Sequence, residues 1–129
     1  MSRAAIRLLA VITSVGALTT QALADGQHSY VFCDNGLRCV VAPCPSNSAL
    51  DLATGKVIKG VSIDINGLPQ EDKALDVSDR LYAGKLVVTG SIENRTETHR
   101  GQQYTLPWLV ATGIERASKA SERGHCSTR

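Results

Sequence analysis

Three of the four cysteines, Cys33, Cys39 and Cys44, lie close together in a segment that also contains an Asn-Gly pair and two prolines. The fourth cysteine, Cys126, lies almost at the C-terminus. Four cysteines in a short chain are typical of an exported domain held together by two disulfides. The way these cysteines pair therefore constrains the fold more than any other feature of the sequence.

The first 24 residues have the pattern of a secretory signal peptide. Arg3 and Arg7 precede an apolar run over residues 8–18, and Ala22-Leu23-Ala24 matches a small-x-small cleavage site. The apolar run is shorter than the roughly 20 residues that a membrane-spanning helix needs. The sequence thus predicts cleavage after Ala24, no membrane insertion, and a periplasmic or secreted mature protein.

The mature chain, residues 25–129, has no net charge. Removal of Arg3 and Arg7 from the 14 basic side chains leaves 12, which balance the 12 acidic ones. Without a basic cluster, the chain lacks the electrostatic features of a nucleic-acid-binding protein. Its length predicts one disulfide-stabilised domain with a polar C-terminal tail.

Short apolar segments separated by turn residues predict an all-β domain, a small antiparallel barrel or sandwich of about six strands with a short helical turn. Asn35-Gly36 is the predicted turn of a first hairpin, between residues 29–33 and 38–42. Residues 49–52 and 57–65 form a predicted second hairpin. The remaining predicted elements are a helical turn at 77–83, strands at 86–92 and 104–114, and a polar loop at 94–102. In the last strand, Trp108 is interpreted as a core residue.

The predicted first hairpin favours one disulfide pairing. A two-residue turn at Asn35-Gly36 would place Cys33 opposite Arg38, out of register with Cys39. The favoured pairs are therefore Cys39–Cys44 and Cys33–Cys126. Pairing Cys33 with Cys44 and Cys39 with Cys126 remains possible.

Two motifs support a family resemblance. Residues 38–44 read Arg-Cys-x4-Cys, and residues 81–90 read Leu-x-x-Gly-Lys-Leu-Val-Val-x-Gly. Over about residues 29–116, the chain resembles a group of secreted bacterial all-β domains of unknown function. The resemblance implies an exported β domain and carries no activity.

The sequence gives little support to catalytic or metal chemistry. The cysteines and His125 lack the C-x2-C spacing of common zinc sites, and an oxidising compartment favours disulfides. Ser46 and the histidines lack the G-x-S-x-G context of a hydrolase nucleophile. We therefore expect no enzyme activity, no cofactor and no metal site.

A binding or interaction module is the favoured function, with an unknown protein or small molecule as its partner. Loops on a rigid β scaffold usually carry recognition, so residues 42–46 and 94–102 are the predicted binding segments. An inhibitor of an exported enzyme, presenting a rigid loop at 42–46, is the alternative. The predicted binding residues are Pro43, Pro45, Ser46, Arg95 and His99.

Overall fold

The computed structural model describes residues 26–127, and the predicted signal peptide lies outside them. Six strands form one sheet in the order β3-β2-β1-β5-β6-β4. The strands are β1 (His28–Asp34), β2 (Asn47–Asp51), β3 (Val57–Lys59), β4 (Ser62–Asp64), β5 (Leu86–His99) and β6 (Gln102–Ala117). The helix α1 (Val77–Tyr82) and two 3-10 turns (Gln70–Asp72 and Ala120–Glu122) complete the elements. The small all-β fold is confirmed.

The two edge strands of the sheet, β3 and β4, are consecutive in the chain. β3 pairs antiparallel with β2, whereas β4 pairs in parallel with β6 at the other edge. Lys59 and Ser62, the adjoining ends of these strands, are three residues apart, which limits their separation to about 11 Å. The predicted strand at 57–65 is therefore bent at its middle. It brings both edges of the sheet together at one corner, although the six strands do not close into a barrel.

The strands β5 and β6 form a hairpin much longer than the sequence predicts. They pair from Leu86 with Ala117 to His99 with Gln102, so the prediction of a loop at 94–102 is wrong. The connection is the two-residue turn Arg100-Gly101, in which both φ angles are positive, 54° and 77°. That conformation matches the twist of the flanking strands. Polar side chains on both faces hid this strand, because such a segment lacks an apolar stripe.

The main core lies between one face of the sheet and α1. Its buried members include Phe32, Leu81, Leu86, Val88 and Leu109. Trp108, by contrast, is only half-buried and lies outside this cluster. The interpretation of Trp108 as a core residue is therefore wrong, because the adjacent residues Leu109 and Ala111 face the core.

Cys33 pairs with Cys126, and Cys39 pairs with Cys44, which is the favoured pairing. The predicted hairpin between residues 29–33 and 38–42, on which this pairing was based, does not form. β1 pairs with residues 47–51, so that Cys33 lies opposite Ser48, and residues 38–42 form an irregular loop. The Cys33–Cys126 bond ties the C-terminal tail to the face of β1 opposite the main core. Ser127 N also donates a hydrogen bond to Asp34 O at the end of this strand.

None of the helices in residues 26–127 is long and apolar enough to cross a membrane.

Candidate functional site

The loop that follows β1 is anchored at its base by Asn35. The amide Nδ2 of Asn35 donates to Pro45 O at 2.7 Å and to Ser48 Oγ at 2.9 Å. The backbone N–H of Asn35 donates to Ser46 O at 2.8 Å. Asn35 thus joins the two ends of the segment 37–45, which we call the disulfide loop. The Asn-Gly pair does not turn a hairpin but holds this loop in place.

The far half of the β5–β6 hairpin carries a network of charged and aromatic side chains on one face. Arg95, Glu97 and His99 alternate along β5 and are all half-buried, whereas Thr96 and Thr98 are exposed. The indole Nε1 of Trp108 donates to Glu97 Oε1 at 2.8 Å. The other Glu97 oxygen lies 2.9 Å from His99 Nε2. Both carboxylate oxygens of Glu97 therefore hold neighbouring rings in position.

Arg95 occupies the centre of this network. Its guanidinium lies 4.9 Å from the centre of the Trp108 ring, within the range of a cation–π contact. The same group forms 2.9 Å ion pairs with Asp64 on β4 and with Glu93 on β5. The pKa of Asp64 is lowered by a hydrogen bond from Asn66 N–H and, next in importance, by the bond from Arg95. Arg95 thereby fixes the sheet edge to the long hairpin.

Substitution of Arg95 by alanine should raise the pKa of Asp64 toward the usual aspartate value of about 3.9. Because the folded pKa of Asp64 is depressed, its contribution to stability is present at neutral pH and is lost as the pH falls below about 4. The variant should consequently lose less stability than the wild type between about pH 6 and about pH 3. An NMR titration of the Asp64 carboxyl and urea unfolding at both pH values measure these effects. Arg95→Lys, which keeps the charge, is the control, and an unchanged Asp64 pKa in Arg95→Ala would contradict the assigned contact.

A groove of about 380 Å³ runs between the disulfide loop and the far half of the long hairpin. The disulfide loop forms one wall, and the bend between β3 and β4 lies beside it. Gly60, at the bend, has φ +77°, and a Cβ there would approach Pro45 Cβ to 3.1 Å. Glycine therefore allows the bend to lie against the loop. The lining residues are Ala42, Pro43, Cys44, Pro45, Lys59, Gly60, Ser62, Glu97, His99, Leu106 and Pro107.

The groove brings together three of the five predicted binding residues. Pro43 and Pro45 line one wall, and His99 lines another. Ser46 and Arg95 are not lining residues. Sequence reasoning did not identify Glu97, Leu106 or Pro107, although a period of two from Glu93 to His99 was a detectable signal of a strand with a distinct charged face.

The tip of the disulfide loop is apolar and exposed. The relative exposure is 102% for Val40, 51% for Val41 and 38% for Leu37. We call these three residues the tip. Within the segment 42–46, which the sequence predicts to be presented, Pro43, Cys44 and Ser46 are half-buried, whereas Ala42 and Pro45 are exposed. The most exposed apolar side chain of the loop, Val40, thus lies just before the predicted segment.

Cys33, Cys126 and His125 form a cluster with the composition of a metal site, their ligand atoms lying within 4.8 Å of one another. Both sulfurs are consumed in the Cys33–Cys126 disulfide, and oxidised sulfur is a poor metal ligand. His125 Nε2 lies 2.8 Å from Val31 O, so the ring is bound to the backbone of β1. This cluster is therefore a structural attachment of the tail.

Fold and site together define a class: a small disulfide-bonded β domain, typical of exported proteins, with an open groove beside a disulfide loop. Comparison of the chain with protein-family models, with curated proteins and with solved structures gives no match. The resemblance to secreted bacterial β domains stays a prediction.

Proposed function

We propose that the protein is an exported, non-enzymatic binding module that holds its ligand in the groove beside the disulfide loop. One observation carries the proposal. The two segments that the sequence singles out, around residues 43 and 99, lie far apart in the chain and yet line the same groove. The exported location, periplasmic or secreted, is supported by the two disulfides and by the signal-peptide pattern.

The lining suits a ligand with an apolar body and a small polar group. Pro43, Pro45, Leu106 and Pro107 supply apolar surface, and Lys59 supplies a positive charge at the margin. Binding sites generally combine a predominantly apolar lining with a few polar groups, and their volumes start at about 300 Å³. The volume of this groove is at the lower end of that range, which favours a small molecule or a short piece of a larger partner.

A binding role is favoured over catalysis because the Glu97 carboxylate is held by two neighbouring rings, one oxygen accepting from Trp108 Nε1 at 2.8 Å and the other lying 2.9 Å from His99 Nε2. Each Glu97 oxygen thus makes one contact within the protein, which accounts for this carboxylate as a support of the groove wall. The alternative of an enzyme inhibitor presenting residues 42–46 has weaker support, because Pro43 and Cys44 face the groove.

The first test uses 1-anilinonaphthalene-8-sulfonate, a dye with an apolar body and an anionic group that Lys59 can approach. At low protein concentration the dye should bind in the groove, where the apolar lining raises its fluorescence and Trp108, the single tryptophan, excites it by energy transfer. Leu106→Asp should weaken this binding about tenfold, because a charge replaces part of the apolar lining.

Leu75→Asp is the matched control, since Leu75 is 109% exposed and does not line the groove. This control should bind the dye as the wild type does. NMR shifts of the amides that line the groove locate the bound dye directly. Dye binding that is insensitive to Leu106→Asp, with shifts outside the groove, would contradict the proposal.

A further inference from the structure

A second cavity, lined largely by basic side chains, lies where the C-terminal tail leaves the sheet. Its volume is about 350 Å³, and it shares no lining residue with the groove beside the disulfide loop. Three of its six lining residues are cationic and none is acidic. The fold thus gathers basic residues that are distant in the sequence. The lining residues are Arg80, Ala83, Lys85, Ala117, Ser118 and Arg123.

The side chain of Arg123 is held in position by the protein itself. Its Nη1 donates to Ser118 O and to Ser118 Oγ, both at 2.9 Å. The Ser118 hydroxyl in turn donates to Gly84 O. The Cys33–Cys126 disulfide attaches the tail three residues further on. The guanidinium is therefore preorganised, and no acceptor within residues 26–127 engages its Nε or Nη2.

Arg80 and Lys85 bring two further positive charges to the cavity. Both side chains are exposed, and neither forms a hydrogen bond or an ion pair with any residue of the described chain. Arg80 also borders a neighbouring recess that contains Glu71, Asp72 and Glu115. None of these three carboxylates lies within ion-pair distance of its guanidinium. Both charges are thus available to a ligand.

Several hydrogen-bond acceptors beside the cavity are already used within the protein. Lys85 O accepts from Ser118 N at 2.9 Å. Ala117 O accepts from Arg116, whose guanidinium also forms a 2.8 Å ion pair with Glu122. A ligand in this cavity therefore meets free donors and uncompensated positive charge, with few free acceptors. That combination favours an anion.

We propose that this cavity binds a phosphate or sulfate group, either as the free ion or as part of a small ester. Such a group accepts hydrogen bonds from several directions and carries up to two negative charges, which suits three cations around one recess. Nε and Nη2 of Arg123 lie on the same side of the guanidinium, so they can contact two oxygens of the group at once. The volume is equivalent to about a dozen water molecules, which leaves room for the body of an ester. The site is separate from the groove, so its failure would leave the proposed function untouched.

Inorganic phosphate tests the site at pH 7.5, with sodium chloride added to keep the ionic strength constant. For the protein with both disulfides formed, we expect a Kd on the order of 1 mM, because the cations are largely in contact with water. ¹⁵N NMR should show saturable shifts at the amides of Lys85, Ser118 and Arg123. Lys85→Gln and Arg123→Gln should each raise the Kd about fivefold.

Lys56→Gln is the matched control, since it removes an exposed positive charge that does not line the cavity. This variant should bind phosphate as the wild type does. Lys85 is exposed, so Lys85→Gln tests the site even where the loss of Arg123 disturbs the tail. An equal weakening in Lys56→Gln, or no saturation by about 50 mM phosphate, would show an adventitious ion only and would overturn the inference.

Sulfate and glucose 6-phosphate distinguish the possible sources of the group. Binding of glucose 6-phosphate at least about threefold tighter than inorganic phosphate would assign the cavity to an ester. Equal binding of phosphate, sulfate and glucose 6-phosphate would assign it to the free group alone. Shifts that appear in the groove instead of around this cavity would overturn the inference.

Discussion

Replacing Cys33 and Cys126 together by alanine is expected to lower the free energy of unfolding by about 4.6 kcal/mol, against about 2 kcal/mol for Cys39 and Cys44 together. The two bridges span 93 and 5 residues, respectively. In the chain-entropy account, a bridge that closes a longer loop removes more conformations from the unfolded chain. Replacing both partners of a bridge avoids a free thiol, so the two variants are matched.

Urea unfolding of both variants measures the difference. Loss of the long bridge should also increase amide exchange in the tail, where Cys126 and Ser127 are attached to β1. The short bridge should instead affect the disulfide loop and binding in the groove. A larger loss of stability without Cys39–Cys44 than without Cys33–Cys126 would contradict the entropic explanation.

Phe32→Ala is expected to lower the free energy of unfolding by about 3–5 kcal/mol. Phe32 is fully buried, and its ring meets Tyr82 edge-on with centroids 5.2 Å apart. Because Phe32 lies on β1 and Tyr82 on α1, removing the ring leaves a cavity between the sheet and the helix. A small domain has only about 5–15 kcal/mol of stability in total, so this loss is a large fraction of it.

Thermal and urea unfolding measure the effect of Phe32→Ala. Leu75→Ala is its control, since a change at an exposed leucine should stay within about 0.5 kcal/mol. Phe32→Leu retains most of the buried volume and should lose much less than Phe32→Ala. A loss below about 1 kcal/mol in Phe32→Ala would show that Phe32 does not lie at the centre of the core.

The fold class followed from local patterns in the sequence, because short β-branched segments separated by turn residues leave few other arrangements. Local patterns also determined the short helix ending before Gly84 and the hairpin between β2 and β3. The disulfide pairing was predicted correctly, but the physical reason for it is different. Cys33 is separated from Cys39 because the chain leaves β1 into a loop, and not because a hairpin sets them out of register.

Which segments pair with one another became clear only from the three-dimensional fold. The bend at Gly60 joins the two sheet edges, and it does so by pairing one half of a strand with β2 and the other half with β6. No local pattern specifies a partner strand that is distant in the chain, since period-two alternation defines a face but not the strand beside it. The charged alternation from Glu93 to His99 indicated a strand, but not its partner, because Arg95 and Glu97 stabilise the hairpin through contacts with Trp108 on β6.

The candidate site likewise has one part that local sequence predicts and another part that depends on long-range pairing. Pro43 and Pro45 could be recognised from the sequence, because two prolines beside a cysteine specify a restricted backbone whatever surrounds them. Of the other wall only His99 was predicted, since Leu106 and Pro107 become a binding surface only when the long hairpin lies beside the disulfide loop. Local backbone chemistry thus determined the loop. The groove exists only because long-range pairing brings that loop and the hairpin together.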